Sequence, residues 1–260
     1  MSNIRFTTTL SNEFATLFAS CEIQPEKFDE VDDIVDRILA DKNRYETVQR
    51  KLGIPWFFVA VIHNMESGGR FDRHLHNGDP LTKRTRQVPA GRPLDGEPPF
   101  TWEASATDAL LMKRLDQIDA WSLSRILYEL ERYNGWGYRR FHPDVLTPYL
   151  WSYSNHYKSG KYIADGTWSN TAVSRQCGAA VLIRRLEQRG EAALSVASRR
   201  RVFFKYSPRS VKDRADDLQR FFNTFPGVSL RVDGLAGQKT SDVARQLFGH
   251  YLSGDPRSDE

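Results

Sequence analysis

Glu66 is the residue around which chemistry can be built. It lies near the end of the run "WFFVAVIHNMES" (residues 56–67), apolar on nearly every side, and Gly68 and Gly69 follow it. A carboxyl group held beside aromatic and aliphatic side chains has its charged form desolvated, so its pKa rises. An acid that keeps its proton near neutral pH can donate it to a leaving oxygen. The two glycines leave a side-chain-free approach for a bulky substrate. The plainer use of such a residue is a helix-end Glu hydrogen-bonded to nearby backbone, and the run by itself accommodates both.

Other side chains invite the same double reading. His74 and His76 are separated by one residue, with Asp72 and His63 close by, and such a set can ligate zinc. A zinc-dependent amidase or peptidase is the enzyme that reading implies. No His-Glu-x-x-His or paired-Cys motif accompanies them, so solvated or substrate-contacting histidines are the simpler expectation, with no metal or other cofactor. Aromatics are abundant, with six Trp, ten Tyr and fifteen Phe. Sugar rings stack on such faces, but aromatics at helical spacing also build cores, and more than half of these are expected to pack. Trp136, between two glycines, is the one expected to be exposed, and Tyr149 and Trp151 in "TPYLWSYSNHY" are further candidates.

The elements that would position Glu66 are mostly helices. Residues 28–39 carry Phe28, Val31, Ile34, Val35, Ile38 and Leu39 at helical spacing, with acids toward the start, where the helix dipole favours them. "RYETVQRKLG" reads as a second helix stopped by Gly53. Pro55 then opens a central buried helix over "WFFVAVIHNMES". Residues 71–100, with "NGD", "PAGRP" and "DGEPP", read as hairpin and loop. Helices resume at "TWEASATDALLMKRL" and "DAWSLSRILYELERY", then near "TPYLWSYSNHY", and over "NTAVSRQCGAAVLIRRLEQRG" with Asn170 as its cap. The expected class is mainly α (α+β): a helical body with a small β-hairpin insert.

The segments "LERYNGWGYR", "TPYLWSYSNHY", "GKYIADGTWS" and "AVSRQCGAAVLI", together with the Glu-Ser pair ending an apolar helix, resemble the lysozyme-like superfamily. The likeness spans roughly residues 51–186 and is nearest in style to goose-type lysozymes, lytic transglycosylases and endolysins of bacteria and phages. The resemblance implies a peptidoglycan-degrading glycosidase that cuts the glycan strand between N-acetylmuramic acid and N-acetylglucosamine, with Glu66 as the acid. Tyr133, Asn134 and Gly135 match its Tyr-Asn-Gly element lining the cleft, and Tyr149 and Asn155 match sugar contacts. Inverting hydrolysis needs a second carboxylate roughly 6.5–9.5 Å away to activate water. Asp79 is the first candidate, then Asp72, with Asp95, Glu97 and Asp165 behind. Asp79 in "NGDP" is equally a turn residue. A Gly-Leu-Met-Gln element is absent, and "HLHNGDPLTKRT" stands there instead, which leaves hydrolysis and transglycosylation both open.

Past a basic, Ser-rich stretch read as a linker (196–208), "DLQRFFNTFPGVSLRVDGLAGQKTSDVARQLFG" resembles the small three-helix peptidoglycan-binding domain attached to wall hydrolases. Residues 1–195 are then the catalytic domain and 209–260 the binding domain, with a boundary near residue 205. In "VDGLAGQKT", Gly234 and Gly237 supply permissive backbone and Thr240 a cap. A generic helical hairpin fits the same residues.

Composition bounds the rest. The chain of 260 residues carries a formal charge of +4, which favours an anionic partner without choosing one. Bacterial peptidoglycan is the expected partner; nucleic acid is not, because the aromatics are not interleaved with the basic stretch. Two distant cysteines make no disulfide framework. The first residues lack the charged start and apolar core of a secretory signal, and no stretch approaches ~18 uninterrupted apolar residues. The expectation is a monomer made in the cytoplasm, without stable membrane insertion, that reaches the wall through a holin or another route.

Overall fold

The computed structural model describes residues 4–192, 204–212, 215–252 and 254–257. Among them, eleven α-helices and one two-stranded sheet make up the regular structure, apart from two short 3-10 turns. The chain divides into two compact units, Met1–Val196 and Ala197–Glu260.

The first unit runs α1 (Thr8–Ala19), α2 (Phe28–Ala40), α3 (Lys42–Leu52), α4 (Trp56–Ser67), α5 (Trp102–Met112), α6 (Leu123–Asn134), α7 (Gly137–Phe141) and α8 (Pro148–Trp151). Strands β1 (Lys161–Ala164) and β2 (Thr167–Ser169) and helix α9 (Ala179–Gln188) complete it. Helix α4 is the centre. Nine of its twelve residues are buried, and α2, α3 and α9 pack around it. A helix apolar on all sides is stable in water only if it is covered on all sides. Burying each Phe, Val or Ile contributes ~1.5–3 kcal/mol. His63 is taken in with them: its Nδ1 lies 3.0 Å from Tyr45 Oη, and its ring packs 4.5 Å from Trp102. Burial pushes its pKa down to about 4, so it stays neutral.

Helix α2 shows how the charges around this centre are used. It buries Val31, Ile34, Val35 and Ile38, and its acids face α9: Asp32 pairs with Arg185 at 2.6 Å and Asp36 with Arg189 at 2.7 Å. Arg185 and Arg189 of "IRRLEQRG" thus tie α9 and the residue that follows it to α2. Helix α1, which buries Leu10, Phe14 and Phe18 at every fourth position, is capped by Thr7, whose hydroxyl accepts from Leu10 N. It packs on α6.

Three expectations are corrected. Residues 71–100 hold no strand, only an isolated bridge between Arg73 and Pro80. Prolines at 80, 89, 93, 98 and 99 cannot donate to a ladder, and turn-type backbone bonds together with side-chain hydrogen bonds organise the segment. The hairpin forms later, where Tyr162 pairs with Trp168 across an Asp165-Gly166 turn; Asp-Gly is a strong two-residue hairpin signal. "TPYLWSYSNHY" makes only the single turn α8, and the chain then reverses at Tyr153, whose φ is +72°. The last helix of the unit starts at Ala179, not near Asn170.

In the second unit, α10 (Ala215–Phe222) and α11 (Gln238–Phe248) enclose a small core of Leu218, Phe222, Ala236, Ala244 and Leu252. The described residues hold two α-helices there rather than three. Of the expected linker, 196–203 lie outside the described residues. Phe204 and Tyr206 pack on the second core, and Ser207 N donates to Ala236 O at 2.8 Å. The "VDGLAG" turn is held by buried Gln219, whose Oε1 accepts from Asp233 N and Gly234 N at 2.9 Å. Thr240 lies inside the first turn of α11, with Gly237 at the cap.

Gly178 decides how closely α8 and α9 approach. Its N–H donates to Ser152 O at 3.0 Å, and a Cβ there would sit 2.3 Å from the Leu150 carbonyl oxygen. Neither backbone can yield without moving the Tyr149 turn. Gly178→Ala is expected to destabilise the protein by roughly 1–3 kcal/mol, read as a lower urea midpoint at unchanged slope.

Candidate active site

Glu66 sits in the last turn of α4, one residue before the helix ends. The stop is conformational: Gly68 and Gly69 adopt φ of +62° and +74°, a region that side chains disfavour. Their N–H groups donate to Asn64 O and His63 O at 3.0 and 3.2 Å. A Cβ at either glycine would meet nothing within 4 Å, so the space over the helix end is open. From the other side, Gln176 Nε2 donates to Met65 O at 2.8 Å. The terminal carbonyls of a helix need such partners.

Glu66 is an exposed residue, yet its carboxyl is crowded by protein. Burial raises its pKa; a hydrogen bond from Tyr149 Oη to Oε1 at 2.8 Å and the charge of Lys113 pull it back. Burial wins. The Tyr149 phenol is itself nearly buried, and its own pKa is driven far up by burial and by the neighbouring carboxylate. It therefore remains a donor throughout any working pH. Tyr133 is pushed up for the same reasons, and Lys113 Nζ lies 4.9 Å from its ring centre.

The ends of three helices bring these groups together. Tyr133 and Asn134 close α6, and Gly135 follows at φ +98°, ψ 166°, a conformation essentially reserved for glycine. Asn134 Nδ2 reaches Thr147 Oγ1 at 3.5 Å, and the same oxygen accepts from Tyr149 N at 3.3 Å, capping α8. Glu66, Tyr133, Asn134, Gly135 and Tyr149 thus form one constellation. Lys113, Gln176 and Thr147 belong to it as well. None of the three carries a sequence signal, because each acts through a contact distant along the chain.

Other candidates stand elsewhere. Trp136 is buried and packs on Tyr128 at 5.2 Å, against the expectation of exposure. Trp151 is a core residue at 1% exposure. Asn155 ties down the segment after α1: its Oδ1 accepts from Glu22 N and its Nδ2 donates to Ser20 O. Asp79 directs its carboxylate into its own loop. Oδ2 accepts from Arg86 N at 2.7 Å, Gln87 N at 3.2 Å and Asn77 Nδ2 at 3.1 Å, and the two backbone bonds lead in holding its pKa down. That is the turn role. Asp72 pairs with Arg70.

The histidines are structural too. His74 is fully buried, with its two ring nitrogens on Ser105 Oγ and Lys83 O, and His76 Nε2 meets Asp108 Oδ2 at 2.7 Å. Among the described residues, no group of three or more His, Cys, Asp and Glu is arranged to hold a metal ion, and no helix is long and apolar enough to cross a membrane.

No protein-family model, curated protein or solved structure matches the chain. The site is read from its own geometry.

That geometry has a pH signature. Tyr149→Phe removes the hydrogen bond that lowers the Glu66 pKa, so the pKa should rise further. Titration of the Glu66 carboxyl carbon by NMR checks this; an unchanged or lower pKa contradicts the assignment.

Proposed function

We propose that the first unit is a glycosidase acting on the glycan strand of bacterial peptidoglycan, with Glu66 as the proton donor to the leaving oxygen. The observation that carries this reading is a carboxyl group with a burial-raised pKa on an exposed residue. It stands at the end of a rigid helix beneath open space. A general acid needs a proton held near working pH and a path to substrate, and Glu66 has both. Tyr149 orients the carboxyl by its hydrogen bond, and Tyr133 and Asn134 flank the opening. The resemblance to the lysozyme-like superfamily supplies the substrate class, and Trp136, Trp151 and Asn155 support the walls rather than the sugar.

The same observations favour one of the two reaction courses. Burial, Tyr149 and Lys113 act on Glu66. Asp79 is engaged in its loop. A site with one working carboxyl fits transglycosylation to an anhydro-muramic product, in which the substrate's own hydroxyl attacks and no second carboxylate activates water. The second unit is read as a wall-binding module that raises residence on the polymer by linking two weak sites.

Glu66→Gln keeps the shape and removes the acid. Lysis of purified walls should fall by ~10²–10⁴-fold, while co-sedimentation with walls stays at the wild-type level and chelators leave the wild-type rate unchanged. Mass spectrometry of the digest should show anhydro-muramic ends. Reducing muramic ends would restore the hydrolytic course, and wild-type protein that leaves muropeptides unchanged would overturn the enzyme reading.

A further inference from the structure

A concavity in the first unit is separate from Glu66. A cavity of about 620 Å³ opens between the start of α2 and the segment after α8, within the range of small-ligand sites. Lys27, Glu30, Tyr153, Tyr157, Lys158 and Arg175 line it. Three cations face one carboxylate, which leaves two positive charges uncompensated. Lys27 pairs with Glu30 at 3.0 Å and lies 4.2 Å from the Tyr153 ring centre. Lys158 and Arg175 have no ion pair among the described residues, and both are exposed.

Tyr153 adds a second feature. Tyr153 Oη lies 2.7 Å from Glu30 Oε1 and 2.6 Å from Arg175 O. A phenol has one proton to give, and both neighbours are acceptors, because the Tyr153 and Lys27 hydrogen bonds hold Glu30 ionised. The phenol proton serves only one of them at a time, and the exposed Glu30 carboxylate is open to a further N–H. Tyr153 is also held at φ +72°, a conformation that a bulky side chain keeps only where its surroundings impose it. Those surroundings are present: Gln24 N donates to Tyr153 O at 2.9 Å, and its Nε2 donates to Ser154 O at 3.0 Å. Val173, 55% exposed, adds an apolar rim.

A ligand that completes this cavity brings a negative group to Lys158 and Arg175, an N–H to the Glu30–Tyr153 pair and an apolar part to Val173. We infer that the cavity binds a short peptide through its free carboxylate terminus, with a backbone N–H on the Glu30 side. Arginine and carboxylate pair through two parallel hydrogen bonds, which is why Arg175 is assigned the terminus. The assignment does not depend on the reaction at Glu66, which is not among the lining residues.

The test is calorimetric titration of N-acetyl-Ala-Ala, and separately its C-terminal amide, into the full chain. The acid should bind saturably and the amide at least about tenfold more weakly. Arg175→Gln and Lys158→Gln, both at exposed side chains, should each weaken the acid about threefold or more and narrow the gap to the amide. Melting curves confirm that these variants fold, and Glu66→Gln should bind as the wild type does. The inference fails if acid and amide bind alike, if neither variant changes binding, or if no saturation is seen up to about 10 mM. Inorganic phosphate that binds as tightly through the same two residues would reduce the cavity to an anion site and overturn the peptide assignment.

Discussion

Covering helix α4 on all sides is the constraint that the rest of the first unit serves. A twelve-residue helix with nine buried residues cannot end in water-free surroundings with its last carbonyls unsatisfied. The fold ends it at the boundary of the core. Gly68 and Gly69 turn their N–H groups back onto it, Ser67 Oγ donates to His63 O at 3.0 Å, and Gln176 reaches across to Met65 O. Glu66 is the side chain left at that boundary. Its burial and its accessibility have the same origin: the apolar body of the helix must be covered, and its end need not be.

The neighbours of Glu66 are set by close approach rather than by sequence proximity. Gly178 lets the start of α9 pass against the backbone of α8, and Gly135 lets α6 end in a sharp corner. These permissive positions bring Tyr149 and Tyr133 to the carboxyl. The electrostatic result is a balance. Burial raises the acid, and one phenol and one ammonium limit the rise. A carboxyl in that balance can hold and release a proton, which a fully buried, unpaired one does less readily.

Several groups that invite chemical readings are consumed by packing. Buried polar atoms must be hydrogen-bonded, and an irregular segment such as 71–100 has few backbone partners to offer. His74, His76, Asp79 and Asp108 supply them, bonding to Ser105, Lys83 O and the N–H groups of Arg86 and Gln87. Arg185 and Arg189 are similarly matched to Asp32 and Asp36 of α2. In a sequence, a histidine that supports a loop and one that touches substrate look alike. Only the identity of the atoms around each ring separates them.

The sequence alone marked most of the long helices of the first unit and singled out Glu66. Periodicity marked α2, α3, α4, α5 and α6, because an amphipathic or fully apolar pattern has one low-energy way to be buried. The Gly68-Gly69 stop was legible because few other residues adopt that backbone, and Glu66 because a carboxyl at the end of an apolar run is exceptional. Tertiary structure decided what joins it. Tyr149 and Lys113 come from positions 83 and 47 residues away in the chain, Trp136 and Trp151 turn inward, and Asp79 is bound into its loop. Spacing along a chain records which face of an element a side chain occupies. It does not record which other element that face will meet, because that depends on how all the covering surfaces pack at once.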